Sequence, residues 1–155
     1  MALRLIALGH RMPAWIAAGY AEYATRLTRE FALELVEIKP EPRDRGRTAA
    51  QMLAAEAVRI RTAAAGAKLV ALDEHGVAWT TRQLAHNLQQ WVMERAGVAF
   101  VIGSADGLDA PLKREADVRL ALSAMTLPHG LARVLLAEQL YRAQSLIAGH
   151  PYHRE

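Results

Sequence analysis

A chain of 155 residues fits one domain, 1–155, large enough to build its own hydrophobic core. Apolar residues make up 52% of it, but no stretch is long enough to predict a transmembrane helix, and residues 1–8 lack the pattern of a secretory signal peptide, so a cytoplasmic protein with no membrane partner is expected. With no cysteine, a disulfide scaffold, a thiolate zinc site and a cysteine nucleophile are excluded, and a net charge of +3 suits an anionic partner without requiring one.

Residues 2–8 and 32–38 read as strands, the second with clean period-2 alternation. Between them Pro13 sits where a helix would begin, and Ile16, Tyr20, Tyr23 and Leu27 follow at helical spacing. A second helix is predicted from about 48 to 64, stopping at Gly66. Residues 68–73 form a short apolar strand. Thr80 or Thr81 caps a third helix that runs to Arg95 and ends at Gly97. The segment 98–103 is almost wholly apolar, as a strand buried on both faces should be. A last strand at 118–122 precedes a final helix at 130–148. Strands alternating with helices predict an α/β fold, a parallel sheet flanked by helices on both faces. Leu131, Val134, Leu135, Leu136, Leu140, Tyr141, Leu146 and Ile147 spread around the final helix, so it needs cover on two sides. The sheet supplies one; a second subunit would supply the other.

In such a sheet, ligands bind at the carboxyl ends of the strands. Three ends carry suggestive residues: 72–76, 103–107 and 122–130. The Gly103 and Gly107 spacing is not the dinucleotide fingerprint, and no P-loop occurs, so neither a Rossmann dehydrogenase nor a P-loop NTPase is supported. Asp73 fits either a ribose contact or a turn. Arg142 follows Glu138 by four residues, which fits an ion pair as well as a catalytic role. His129, His150 and His153 share no metal-ligand spacing, and no metal is expected. Trp15, Trp79 and Trp91 fall on or beside the predicted elements, as core or interface residues. Arg43, Arg45 and Arg47 crowd a loop with Pro40, Pro42 and Gly46, near Arg29 and Lys39; a solvated loop and a phosphate-contacting one both fit. The tail differs from most termini: Tyr152, His153 and Arg154 put a phenol, an imidazole and a fixed cation beside the stiff Pro151.

Taken together, Leu122-Ser-Ala-Met-Thr-Leu-Pro-His129, Arg133-Val-Leu-Leu-Ala-Glu-Gln-Leu-Tyr-Arg142-Ala and His150-Pro-Tyr-His-Arg-Glu155 resemble the RlmH family. These are ribosomal large-subunit pseudouridine N3-methyltransferases of the SPOUT (alpha/beta knot) class. Leu8-Gly-His-Arg-Met-Pro-Ala-Trp15 and Leu72-Asp73 fit as well, so the likeness spans the chain. The resemblance implies a C-terminal trefoil knot, which topology rules alone argue against, and a homodimer. It implies S-adenosylmethionine as methyl donor, bound by Leu72, Gly103, Leu122, Ser123, Ala124, Met125, Thr126 and Leu127. The implied activity is methylation of N3 of a pseudouridine in 23S rRNA on the assembled ribosome. His153 is the candidate base, Arg154 and Arg142 suit the developing anion or a phosphate, and Tyr152 suits stacking or hydrogen bonding to a flipped base.

One departure from the family pattern stands out. Where the family's second loop usually reads Gly-Gly-x-Glu-Gly, this chain has Gly103-Ser104-Ala105-Asp106-Gly107, which leaves the roles of Ser104 and Asp106 open. Two competing readings remain: a methyltransferase of the same class acting on another RNA such as tRNA, and a non-catalytic ribosome-binding dimer.

Overall fold

Strand β1 (Leu3–Leu8) is the centre from which the sheet is built: β2 (Leu33–Ile38) pairs with it on one side and β4 (Gly97–Ile102) on the other, both parallel. β3 (Ala67–Ala78) and β5 (Val118–Ala121) extend the sheet beyond β4, giving the order β2-β1-β4-β3-β5. The computed structural model describes residues 2–9, 11–42 and 46–154. Period-2 alternation sorts the strand side chains between two cores. Leu3, Leu5, Val70, Val98, Phe100 and Ile102 meet α3 (Thr81–Met93) and α5 (His129–Ala148), with Tyr20 of α1 (Ala14–Ala24) packed on the same cluster. Ile6, Leu8, Ala71, Ala99 and Val101 face α2 (Ala49–Ala63) and α4 (Ala110–Glu115). β4 is buried along almost its whole length, which is why its sequence shows no alternation.

The predicted elements are present, with three corrections. The short strand expected at 68–73 continues to Ala78. A register shift between Leu72 and Val77 places 73–76 in an irregularity that pairing with β5 resumes beyond, so the apolar run stops while the strand does not. Gly76 permits this: a Cβ there would lie 2.5 Å from the Arg119 carbonyl oxygen. The third helix does not end on Gly97, which is the first residue of β4; Arg95 takes the left-handed position instead, with φ 54°. α4 escaped the sequence reading because six residues carry too little periodicity to detect, although Asp109 caps it by accepting from the Leu112 N–H at 3.2 Å.

Thr80, one of the two caps expected for the third helix, forms a complete capping box with Gln83, and Thr48 forms another with Gln51. Thr80→Ala is expected to lower stability by about 1 kcal/mol, read as a lower urea midpoint at unchanged slope. A substitution that left the midpoint in place would show that α3 is fixed by its packing alone. Core truncations should cost more, about 3–5 kcal/mol for an aromatic such as Phe100, so the sheet is held mainly by its interior.

The final helix is covered largely by its own chain. α1 and α3 pack on α5, with Gly19 beside Val134 and Gly130 beside Ile16. Leu131 and Leu135 remain 37% and 38% exposed, and Trp15 on the adjoining α1 is 64% exposed. Among the described residues, no helix is long and apolar enough to cross a membrane.

Candidate active site

The carboxyl ends of β1, β2, β4 and β5, together with the irregular middle of β3, open into one cavity of about 1010 Å³. Its wall includes Leu8 and Gly9 after β1, Ile102 to Leu108 after β4, the Leu72 to Glu74 stretch of β3, and Leu122 to Ala132 in part. The position is the one expected of a ligand site in a parallel sheet. Of the eight residues implied for cofactor binding, Leu72, Gly103, Leu122, Ser123, Met125, Thr126 and Leu127 line this cavity; Ala124 is exposed and does not.

Three local devices shape the wall. Ser104 to Gly107 close a turn, with the Gly107 N–H donating to the Ser104 carbonyl at 2.8 Å and Gly107 at φ 87°. Gly103 is required sterically, since a Cβ there would sit 2.4 Å from the Gly107 carbonyl oxygen. The loop after β5 is tied to β3 by Thr126 Oγ1, which donates to Glu74 Oε2 at 2.6 Å. Ser104 needs no left-handed backbone, so replacing the family's usual glycine strains nothing. Its hydroxyl instead donates to Oε1 of the buried Glu56 at 2.9 Å, and Glu56 Oε2 accepts from the Glu41 N–H, also at 2.9 Å. The replacement therefore gives a buried carboxylate a partner.

His129 joins two sides of this wall. Arg133 Nε donates to His129 Nε2 at 3.0 Å, and an arginine can only donate. The ring proton is therefore on Nδ1, which donates to the Gly103 carbonyl at 3.0 Å. Gly9 lets both side chains come close, because a Cβ there would lie 3.0 Å from Arg133 Nη2 and from His129 Nε2. Burial, reinforced by the Arg133 charge, holds the His129 imidazole below its ordinary value of 6.5. A depressed folded value means that the unfolded chain binds more protons in the interval between the two values. The stability from neutral His129 is complete above about 6.5 and is lost as pH falls through the folded value. Affinity for S-adenosylmethionine is expected to fall over the same acidic window, because protonated Nε2 repels Arg133 and loosens the clip on Gly103. Titrations of wild type and His129→Asn across that window check this, and identical pH profiles would assign the effect elsewhere.

The cavity fits S-adenosylmethionine. Leu72, Ile102, Leu120, Leu122 and Leu127 offer an apolar bed for a flat base, and backbone groups of 103–107 approach without side chains at both ends of the turn. Asp73 Oδ2 is buried on this wall with no hydrogen-bond partner, with Lys113 Nζ 3.8 Å away. Such an orphaned acceptor suits the hydroxyls or ammonium of this molecule. The sequence pointed to Asp73 but left it between a ribose contact and a turn; its backbone role is confined to accepting the His75 N–H through Oδ1 at 3.2 Å. Met12 and Glu74, from the quoted motif at 8–15 and the strand end at 72–76, also line the cavity, as does Lys113, which carried no sequence signal. Among the described residues, no group of three or more histidine or acidic side chains could hold a metal ion.

The tail is ordered but distant. Residues Pro151–Arg154 form a 3-10 turn packed on the carboxyl end of α5. The Tyr152 ring packs against Tyr141 at 4.6 Å with the planes tilted by 57°, and the Arg142 guanidinium lies 4.9 Å from its centre. Tyr152 Oη donates to Glu138 Oε1 at 3.2 Å, and Arg142 Nε donates to the same oxygen at 2.8 Å. The expected Glu138–Arg142 ion pair thus exists and orders the tail. Burial and then Glu138 raise the Tyr152 phenol to about 12, so it remains a donor at neutral pH. His153 Nδ1 faces the His150 carbonyl, which can only accept; the proton is on Nδ1 and the Nε2 lone pair is the basic one. The cavity lies at the amino end of α5 and the tail at its carboxyl end. The last α5 residue on the wall is Ala132; Arg142 stands about 15 Å further along the helix, and His150, whose carbonyl holds His153, about 27 Å, and none of the four tail-side residues lines the cavity. Within one chain, His153, Arg154, Tyr152 and Arg142 are therefore not brought to the cavity.

The basic loop divides. Arg43 and Arg45 lie outside the described residues, as do His10 and Glu155 of the quoted motifs. Lys39, Pro40, Glu41 and Pro42 line the cavity, and Arg47 Nη2 donates to Glu41 Oε2 at 2.8 Å. Arg29 does not join them, because it precedes β2 and the loop follows it, about 20 Å along the strand. Trp91 is core, packed against Trp79 and Phe100, whereas Trp15 is on the surface.

Comparison with known proteins agrees with this architecture. Residues 1–153 match the family described as "Predicted SPOUT methyltransferase". A probable methyltransferase from Bordetella pertussis Tohama I superimposes with a TM-score of 0.57 at 22% identity, covering 91% of this chain and 95% of that one. The tRNA (m1G37) methyltransferase of Aquifex aeolicus gives 0.54 at 14% identity, over 92% of this chain and 70% of that one. At such identities the likeness speaks for the fold alone. Fold, cavity and family match together define a SPOUT methyltransferase, for which S-adenosylmethionine is the methyl donor. Proteins named ribosomal RNA large subunit methyltransferase H, from Nitrosospira multiformis and Burkholderia cenocepacia, are each 57% identical over 155 residues, 99% of either chain. The chain belongs to that methyltransferase H family.

Proposed function

We propose that this chain, acting as a single domain in the cytoplasm, methylates N3 of a pseudouridine in 23S rRNA on the assembled ribosome. A homodimer is the active unit in this reading. The observation that carries it is that none of the four tail-side residues lines the cavity, the His150 carbonyl that holds His153 lying about 27 Å along α5 from the last wall residue, Ala132. Chemistry divided that way requires a second copy, whose tail completes the first copy's cavity. The exposed Trp15, Leu131 and Leu135 on the paired helices α1 and α5 supply an apolar surface for the partner. The trefoil knot expected of the class belongs to the same reading.

S-adenosylmethionine, when bound, supplies a methyl group activated on a sulfonium. The protein's part is to orient the imide and take its proton. His153 Nε2 accepts the proton from N3, with Nδ1 fixed on the His150 carbonyl. Tyr152, protonated at neutral pH, is not a base; with its ring held by Tyr141 and Arg142 and its hydroxyl by Glu138, it positions the tail. Arg154 is exposed and free to meet the charge that develops on the base carbonyls, while Arg142 holds the tail through Glu138 and Tyr152. In this reading the assembled ribosome presents the target.

Transfer of labelled methyl groups to ribosomes lacking the modification tests this, with free rRNA and tRNA alongside and mass spectrometry of the product nucleoside. Methylated pseudouridine on assembled ribosomes alone is expected. Label on tRNA would move the substrate, and no label despite measurable S-adenosylmethionine binding would make the chain a binding protein.

A further inference from the structure

A second cavity, of about 550 Å³, opens beside the first and shares Met12 with it. Arg11, Ile16, Tyr20, Glu37 and Arg133 contribute to its wall. Arg133 is only 2% exposed, an unusual depth for a guanidinium. Its Nε is engaged by His129 and its Nη1 by Glu37 Oε2 at 2.9 Å, but Nη2 is buried without a partner. Across the same cavity Tyr20 Oη is also buried without a partner. Burial raises that phenol to about 12 against the opposing Arg133 charge, so it too is a donor. Two donors therefore lack acceptors in one cavity, a condition that folded proteins rarely leave unrelieved.

The missing partner must bring acceptor oxygens and negative charge. Glu37 offsets one cation, and Arg11, exposed at the rim, restores a net positive site. A phosphodiester fits, with two non-bridging oxygens for two donors, one of them an arginine suited to forked contacts. We propose that the Arg133–Tyr20 cavity is a subsite for a backbone phosphate of the RNA substrate, next to the nucleotide being methylated. The proposal rests on the reading of the chain as an RNA methyltransferase. Its place follows from Met12, common to both cavities, and from the Arg133–His129–Gly103 chain of hydrogen bonds that ties the subsite to the cofactor wall. That connection couples the two sites: an RNA phosphate on Nη2 would hold the guanidinium that holds His129.

Tyr20→Phe tests this with least risk to the fold, since it deletes a hydroxyl that has no partner in the protein; Arg133→Gln is the companion variant. On intact ribosomes Tyr20→Phe is expected to raise KM by about tenfold or more, at unchanged S-adenosylmethionine affinity. Arg133→Gln should flatten the dependence of log K on log salt by about 0.7–0.9. Separately, inorganic phosphate titrated into the wild-type protein should shift the nitrogen-15 resonance of Arg133 Nε saturably, and Tyr20→Phe should weaken that response. The phosphate response stands even if no RNA is methylated, so failure of the functional reading is distinguishable from failure of the subsite. A Tyr20→Phe enzyme with wild-type KM would overturn the proposal. So would an Arg133 resonance that ignores phosphate but moves with protein concentration, which would assign the cavity to the contact between two copies.

Discussion

Gly103→Ala is expected to weaken S-adenosylmethionine binding by about ten- to a hundredfold while leaving the helix and sheet content intact. The reason is local and steric. The new Cβ would meet the carbonyl oxygen of Gly107 at 2.4 Å and its carbon at 2.6 Å, both backbone atoms of the same tight turn. Neither can swing aside as a side-chain end could, so the turn must open and carry the cavity wall with it. Gly107 differs: nothing stands within 4 Å of its would-be Cβ, and its substitution pays only for φ 87°, about 1–2 kcal/mol. Calorimetric titration of both variants, with circular dichroism as the control on folding, separates the two. Wild-type affinity in Gly103→Ala would mean that this turn does not hold the methyl donor. Ser104→Gly, by contrast, should retain affinity and lose stability, because it removes the donor facing buried Glu56.

His153→Ala should lower turnover about a hundred- to ten-thousandfold with S-adenosylmethionine affinity unchanged. The defect should also be repairable from outside. Co-expressed with Gly103→Ala chains under a second affinity tag, His153→Ala chains form mixed dimers in which one of the two composite sites carries both intact parts. At S-adenosylmethionine concentrations too low to load the Gly103→Ala cavity, random pairing then restores about a quarter of wild-type turnover, although each variant alone is nearly inactive. Purified mixed dimers with no activity would show that a tail serves its own chain, against the length of α5. Full activity in His153→Ala would remove the imidazole from the proton transfer and leave the charge of Arg154 as the remaining contribution of the tail.

Much of the fold was legible because local chemistry and global packing agree. Period-2 alternation in β2, the unbroken apolar run of β4, and a threonine ahead of the third helix each have one structural solution. Where two solutions were open, the sequence could not choose. Leu72-Asp73-Glu74-His75-Gly76 looks the same whether the strand ends or is interrupted, since the difference is the return of β3 onto β5 through Gly76. Arg95 took the left-handed position that the nearby Gly97 seemed made for, because Gly97 was already committed to β4 beside Ala67. Glu56, in the middle of an alanine-rich helix, reads as a surface residue. Its burial is decided by the Glu41 amide and the Ser104 hydroxyl, from segments 15 and 48 residues away.

For the site, the sequence by itself determined the chemical groups: a glycine-bounded turn, a polar loop after the last strand, a His129 and Arg133 one helical turn apart, and a tail of phenol, imidazole and guanidinium. It determined the methyltransferase family as well, because those groups recur in a fixed order along the chain. Only the tertiary structure decided which of them meet. Strand order brought the ends of β1, β2, β4 and β5 and the middle of β3 around one cavity, and burial left Asp73 Oδ2, Tyr20 Oη and Arg133 Nη2 without hydrogen-bond partners. The 20 residues of α5 set the tail apart from the cavity. Side-chain identity is a local property that a sequence states outright. Proximity depends on rigid elements whose lengths and pairings are fixed by long-range packing, and that becomes readable only once the chain has folded.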